Sequence, residues 1–109
     1  MYKLLEFDTY DTATGRYYVS STLNLKINKI FILSNKPFDN FIDIENIVGC
    51  ATLCVVDNCL YATLEFFEPY LSEMVENDQI EVMVWGLGML NADNVVNNYE
   101  PIATYLDYD

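Results

Sequence analysis

Histidine is absent from the sequence, and only 5 of its 109 residues are Lys or Arg. Without an imidazole, no mechanism can use histidine as a base and no metal site can use it as a ligand. The cations are also unevenly placed. Residues 1–36 carry all five cations and three carboxylates, a net +2, whereas residues 37–109 carry 14 carboxylates and no cation. The chain as a whole has a formal charge of −12.

This charge distribution restricts the binding partners. A chain with 17 carboxylates repels nucleic-acid phosphates and anionic membranes, so we expect neither to bind directly. A basic protein partner is favoured instead, and a protein that normally binds nucleic acid is one example. The same carboxylates would also keep a tyrosine-rich β surface soluble without any partner.

Glycine and proline are scarce, at 4 and 3 residues, while 52% of the chain is hydrophobic. That composition excludes disordered and collagen-like chains, and the length fits one domain, which we place at residues 1–109. No apolar run approaches the roughly 18 residues that a membrane helix needs. Residues 1–8 lack the basic start and long apolar run of a secretory signal, so we expect no secretion by that route.

The three cysteines, Cys50, Cys54 and Cys59, have the spacing C-x3-C-x4-C. A structural zinc site needs four ligands and usually a C-x2-C pair, and neither is present. An odd number of clustered thiols is more typical of reduced cysteines that pack as small hydrophobic side chains. We therefore predict no bound metal and no cofactor.

Residues 48–66 give the clearest structural signal, because Asp57-Asn58 separates two runs of β-type residues and both residues tolerate a positive φ. A two-residue turn there pairs Val56 with Cys59. One face of this hairpin is then wholly apolar, whereas the other, which carries all three thiols, is half exposed. Across the chain, the predicted core residues are Ala51, Leu53, Val55, Leu60, Leu64, Val82, Val84 and Ile102.

One short helix is predicted at about residues 69–77, since Pro69 suits the first helical position. Its buried stripe is expected to contain Tyr70, Leu71, Met74 and Val75.

Further strands are predicted at residues 2–7, 16–22, 23–33, 79–87 and near the C-terminus, with 23–33 forming one strand or two. The sequence Gly86-Leu87-Gly88 lacks the lysine of a phosphate-binding loop, so we interpret it as a strand bulge or a close backbone approach. Together with the hairpin, these segments make six to seven strands. The predicted fold class is mainly β, a small antiparallel barrel or sandwich with one short helix.

Catalysis is not expected. Paired carboxylates are the one mechanism that the composition offers in quantity, but no pair stands out among 17 acidic residues. Ser72 has no histidine to activate it, and the cysteines lack a nearby base. We therefore predict that the protein is not an enzyme.

Residues 48–106 carry a family resemblance. Its elements are, in order, Gly49-x-Ala51, Leu60-Tyr61-Ala62 leading into the acidic helix at Pro69, Val84-Trp85-Gly86-Leu87-Gly88 and Tyr99-x-x-Ile102. This order resembles that of the prohead-protease-like proteins of tailed phages. The resemblance implies a closed β barrel that acts in capsid assembly. It does not extend to hydrolysis, because those proteases use a histidine and a serine and this chain has no histidine.

Two binding functions follow from these observations. The first is a virion-assembly or capsid-associated structural component, located in the virion or the host cytoplasm, that contacts a neighbouring subunit or another copy of itself. Tyr and Arg are the residues that most often anchor interfaces. The predicted contact residues are Arg16, Tyr17 and Tyr18.

The alternative is a small acidic inhibitor that imitates nucleic acid and blocks a basic host nucleic-acid-binding protein, such as a defence protein. Its carboxylates would take the place of phosphates. The predicted acidic surface contains Asp39, Asp43, Glu45, Glu73, Glu76 and Asp78.

Overall fold

A computed structural model describes residues 1–12, 14–38 and 41–108. The described residues form seven strands and one α-helix, together with two 3-10 turns at Ser20–Thr22 and Ile44–Asn46. In chain order the elements are β1 (Tyr2–Glu6), β2 (Tyr17–Tyr18), β3 (Lys29–Leu33), β4 (Ile47–Val56), β5 (Cys59–Phe66), α1 (Pro69–Glu76), β6 (Ile80–Leu90) and β7 (Val95–Tyr108).

The strands form one sheet that curves into a nearly closed barrel. Neighbouring strands follow the order β1-β5-β4-β3-β7-β2, and β6 pairs with the other edge of β7. Most pairs are antiparallel, whereas β2 and β3 both run parallel to β7. The predicted fold class, mainly β with six to seven strands and one short helix, is confirmed.

The β4–β5 hairpin has the predicted turn and register. Asp57 and Asn58 have φ angles of 49° and 62°, and Val56 pairs with Cys59. Two consecutive residues with positive φ twist the backbone in the same sense as the flanking strands, which is why Asp and Asn at the tip fix the pairing. The Asn58 side-chain amide also donates to the Phe7 carbonyl at 2.9 Å, which ties the hairpin tip to the end of β1.

Helix α1 begins at the predicted Pro69 and ends one residue before Asn77. Its apolar face buries Leu71 and Val75 against the barrel, but Tyr70 is 57% exposed and does not belong to the buried stripe. Among the described residues, no helix is long and apolar enough to span a membrane.

The two glycines of β6 allow a close approach to β7. The register between the strands shifts next to Gly86 and again between Leu87 and Met89, as the bulge interpretation predicts. A side chain at Gly86 would collide with the Glu100 carbonyl and would lie 2.8 Å from the Tyr99 ring. Gly86 therefore leaves the space into which Tyr99 packs.

Two predicted strand segments are wrong in extent. Within residues 16–22 only Tyr17–Tyr18 is a strand, and within 23–33 only Lys29–Leu33. The alternating residues Leu23 and Leu25 do pack against the core, but they do so from a loop. Alternation of apolar and polar residues indicates that one face of a segment is buried. Here the apolar side chains are partly buried, but the backbone does not pair with a neighbouring strand.

The barrel interior holds most of the predicted core, since Ala51, Leu53, Leu60 and Val82 are buried and Leu64 and Val84 pack against them. Val55 is an exception at 45% exposure, because it lies two residues from the hairpin tip, beyond the packed part of the barrel. Ile102 is half-buried and lies outside the core cluster. The cluster also contains Leu5, Phe7, Tyr18, Ile30, Ile32, Ala62, Leu71, Val75, Ile80, Val96, Tyr99 and Leu106.

Leu53 and Val55 provide a matched test of this core, because they lie on the same face of β4 two residues apart. Leu53→Ala should lower the free energy of unfolding by about 2 to 5 kcal/mol, since it leaves a cavity. Val55→Ala should cost less than about 1 kcal/mol, since the side chain is already half in solvent. Urea denaturation measures both values, and equal losses would contradict the assigned burial.

Candidate functional site

The predicted contact residues Arg16, Tyr17 and Tyr18 do not form one exposed patch. Arg16 is exposed and Tyr17 is half-buried, but Tyr18 is only 7% exposed. Its ring packs edge-on against Tyr99 with 5.0 Å between centroids. Tyr18 is therefore a core residue and is not available to a partner.

Tyr17 is held at the surface by neighbouring segments. Its backbone N–H donates to the Asn94 carbonyl at 2.9 Å, and its ring packs edge-on against Tyr10. The Tyr10 hydroxyl in turn donates to the Asp93 carbonyl at 3.3 Å. These contacts fix Tyr10 and Tyr17 against the β6–β7 turn.

Asp8 is hydrogen-bonded to the residues that follow Tyr17. Its carboxylate accepts hydrogen bonds from the backbone N–H and the side-chain hydroxyl of Ser20, and its own N–H donates to the Tyr18 carbonyl. The hydroxyl of Ser20, then its N–H, lowers the pKa of Asp8 below the ordinary value. Asp8 has a φ of 61°, a conformation that Asp and Asn adopt more readily than most residues.

The predicted acidic surface divides into two groups. Asp43 and Glu45 lie in the loop before β4, where the Asp43 carboxylate accepts the Glu45 N–H at 3.0 Å and caps the 3-10 turn. Glu73 and Glu76 lie on α1, and Asp78 follows its end. All five are exposed. Asp39, also predicted here, lies outside the described residues.

A hydrogen bond between strand ends brings the two segments to the same end of the barrel. The Phe67 N–H donates to the Val48 carbonyl at 3.0 Å, so the loop that leads into β4 and the segment that leads into α1 lie at one end of the β4–β5 ladder. Large apolar side chains are exposed in both segments. Phe41, Ile44, Phe67 and Tyr70 are between 57% and 81% exposed.

We call this region the acidic aromatic end. It combines exposed apolar side chains with exposed carboxylates from the two segments. Exposed apolar side chains with polar residues beside them are typical of interaction sites. Its residues are Phe41, Asp43, Ile44, Glu45, Phe67, Glu68, Tyr70 and Glu73.

Among the described residues, no carboxylate of this end forms an ion pair. The one ion pair among the described residues joins Lys3 to Glu6 at 3.6 Å, elsewhere in the chain.

The carboxylates of α1 repel each other, since Glu73 and Glu76 lie one turn apart. Glu76 also lies at the negative end of the helix dipole, with no basic residue in the last turn. This arrangement works against helix stability.

No metal centre is visible in the described part of the chain, where no group of three or more His, Cys, Asp or Glu side chains is arranged to hold an ion. The three cysteines are free, and only Cys59 is buried. Cys54 lies 3.3 Å from the sulfur of Met1.

The exposed aromatic residues were missed at the level of the sequence, although one signal was present. Phe66 and Phe67 are consecutive at the end of a predicted strand, and successive strand residues point to opposite faces. One of the two therefore has to point away from the barrel core. Phe66 packs against the core and Phe67 is 66% exposed.

Comparison with models of known protein families, with curated protein sequences and with solved structures found no match to the chain. The resemblance to prohead-protease-like proteins therefore stays a prediction.

Replacing Asp8 should make the stability of the protein less dependent on pH. The Asp8 pKa is lower in the folded than in the unfolded chain, so its charged form stabilises the fold above the unfolded pKa of about 4, and that contribution is lost as the pH falls through the folded pKa. Asp8→Asn should therefore be less stable than wild type at neutral pH, and the gap should close in acid.

Urea denaturation of both proteins at neutral pH and near pH 3 measures the gap. Asp8→Asn retains the tolerance for positive φ, so a change in backbone strain does not complicate the comparison. A gap that is equal at both pH values would contradict the role of the carboxylate.

Proposed function

We propose that this chain is a non-catalytic protein-binding domain that uses its acidic aromatic end to bind a basic protein. The observation that carries the proposal is that two segments with exposed carboxylates and exposed apolar side chains meet at one end of the barrel, in a region of the sequence with no Lys or Arg. The exposed apolar residues are Phe41, Ile44, Phe67 and Tyr70. Interfaces with an apolar centre and a charged rim combine burial of aromatic area with electrostatic steering.

The position of the acidic residues supports this proposal. Glu73 lies one turn from Glu76 on α1 and the two repel each other, so helix stability does not account for Glu73. Together with Asp43, Glu45 and Glu68 of the acidic aromatic end, Glu73 would increase the rate of association with a positively charged surface. Solubility would be served equally well by carboxylates placed elsewhere.

The mixture of side chains also favours a protein surface over pure imitation of nucleic acid. A phosphate mimic relies on carboxylates alone, whereas this end also exposes large apolar side chains that a phosphate backbone lacks. A partner should therefore carry Lys and Arg around an apolar depression. A basic host protein and a neighbouring virion subunit both remain candidates for that partner.

Three purified baits test the proposal against lysate of the source cells and against disrupted virions. The acid variant carries Glu45→Gln, Glu68→Gln and Glu73→Gln, three exposed carboxylates of the acidic aromatic end. The apolar variant carries Phe41→Ser and Ile44→Ser. A charge-matched control carries Asp57→Asn, Asp93→Asn and Glu100→Gln, which lie away from the acidic aromatic end.

A protein retained by wild type should bind both test variants about tenfold more weakly and the control within about twofold of wild type. Wild-type affinity should fall between 0.1 M and 1 M salt, because the Debye length falls from about 10 Å to about 3 Å. The acid variant should show a smaller salt dependence. The apolar variant should be weaker at both salt concentrations, since burial of apolar area is not screened.

Equal affinity of wild type and both test variants would contradict the proposal, as would the retention of no protein at 0.1 M salt. The identity of the retained protein then separates the two functions predicted from the sequence. A virion subunit, or another copy of this chain, indicates assembly, whereas a nucleic-acid-binding protein indicates inhibition.

A further inference from the structure

The barrel has a seam where β1 and β6 face each other. In the described residues β1 pairs with β5 and β6 pairs with β7, and neither pairs with the other. A side chain bridges the gap at one point, where the Val82 N–H donates to the Tyr2 hydroxyl at 3.1 Å. Farther along the seam a cavity of about 430 Å³ lies between Leu4 and Leu5 of β1 and residues 83–86 of β6.

The lining of this cavity has more cations than carboxylates, the opposite of the chain as a whole. Carboxylates outnumber cations by 17 to 5 overall, yet the lining contains two cations, Arg16 and Lys36, and one carboxylate, Asp11. Arg16 and Lys36 come from loops 20 residues apart in the sequence. Their convergence gives the cavity a local positive charge in a strongly acidic protein.

Three tyrosines add polar groups to the same lining, namely Tyr18, Tyr99 and Tyr105. Burial raises the pKa of Tyr99 well above its ordinary value, and the nearby Tyr18 raises it further, while Arg16 opposes the shift. Burial likewise raises the pKa of Tyr105. The hydroxyls of Tyr99 and Tyr105 therefore keep their protons at neutral pH and can donate hydrogen bonds.

The remaining wall is apolar and aromatic. Leu4, Val84 and Trp85 line this wall. At Gly86 the absence of a side chain leaves space in the cavity next to Tyr99. Pockets that bind small organic molecules are typically about 300–1,000 Å³, mostly apolar, with a few convergent polar groups. The seam cavity has this size, and it combines an apolar wall with convergent polar groups, although polar groups make up the larger part of its lining.

We propose that the seam cavity binds a small organic anion whose carboxylate or phosphate group contacts Arg16 and Lys36 and whose planar body lies against Trp85. Guanidinium groups bind both kinds of oxyanion through paired hydrogen bonds. The tyrosine hydroxyls donate to further oxygen atoms of the ligand. No residue that lines the cavity belongs to the acidic aromatic end, so either proposal can fail without the other.

Trp85 is the one tryptophan of the chain and lines the cavity, so its fluorescence reports binding directly. Four probes distinguish the contribution of the anionic group to binding from that of the planar body. Adenosine monophosphate and benzoate carry both features. Adenosine carries only the planar body, and inorganic phosphate carries only the negative charge. We expect a saturable change with at least one of the first two, and at least tenfold weaker binding of the last two.

Arg16→Gln and Lys36→Gln should each weaken the binding of that probe about tenfold or more, since each removes a charge-assisted hydrogen bond. Lys26→Gln is the matched control, because it changes the net charge equally at an exposed residue outside the lining. Its affinity should stay within about twofold of wild type. Thermal melting of each variant verifies that the fold is retained.

Two results would overturn the proposal. One is the lack of a saturable change with any probe up to about 10 mM, which corresponds to less than about 3 kcal/mol of binding free energy. The other is an equal loss of affinity in Arg16→Gln, Lys36→Gln and Lys26→Gln, which would assign the effect to net charge and not to the cavity. Preferential binding of adenosine monophosphate over benzoate identifies the phosphate as the preferred group, and the reverse identifies the carboxylate.

Discussion

The bend in the long β6–β7 ribbon determines how the barrel closes. β7 pairs in parallel with β2 at residues 95–96 and with β3 at residues 103–105, so it changes partner along one edge. Between these pairings Asn98 has a φ of 55°, and Gly86 lets the opposite strand follow the bend over the buried Tyr99. Larger side chains at this crossing would force the two strands apart, and the core that includes Tyr18 and Tyr99 would open.

On this edge of β7, some backbone groups lie between the residues that pair with β2 and those that pair with β3. The segment before β3 forms hydrogen bonds with these groups. The Asn98 N–H donates to the Thr22 hydroxyl at 2.9 Å, and the Tyr99 carbonyl accepts the Asn24 N–H at 2.8 Å. This requirement explains why the segment from residue 20 to 28 is not a strand. This segment forms single hydrogen bonds with the bent edge of β7. A regular β-strand could pair only with a straight edge.

These contacts show which features the sequence could predict. The β4–β5 hairpin was predictable to the residue, because Asp57-Asn58 sets the register and all the pairings are local. Helix α1 was predictable from Pro69. The partner change of β7 was not, since it depends on contacts between residues 70 or more positions apart, such as Asn98 with Thr22. For the same reason Tyr18 could not be distinguished from Tyr17 as a surface residue. The acidic side chains were visible in the sequence, but the aromatic residues among them required the fold.

The fold also separates the charges that the sequence places in different parts of the chain. Arg16 and Lys36 lie at the seam, whereas Glu76 and Asp78 precede β6, about five or more residues before the cavity-lining part of that strand. The three strand steps from Ile80 to Met83 alone span about 10 Å, which exceeds the Debye length of about 8 Å at physiological salt. The acidic helix therefore does not cancel the positive charge inside the cavity. A strongly acidic domain can thus present a negative surface at the acidic aromatic end and a positive cavity at its seam.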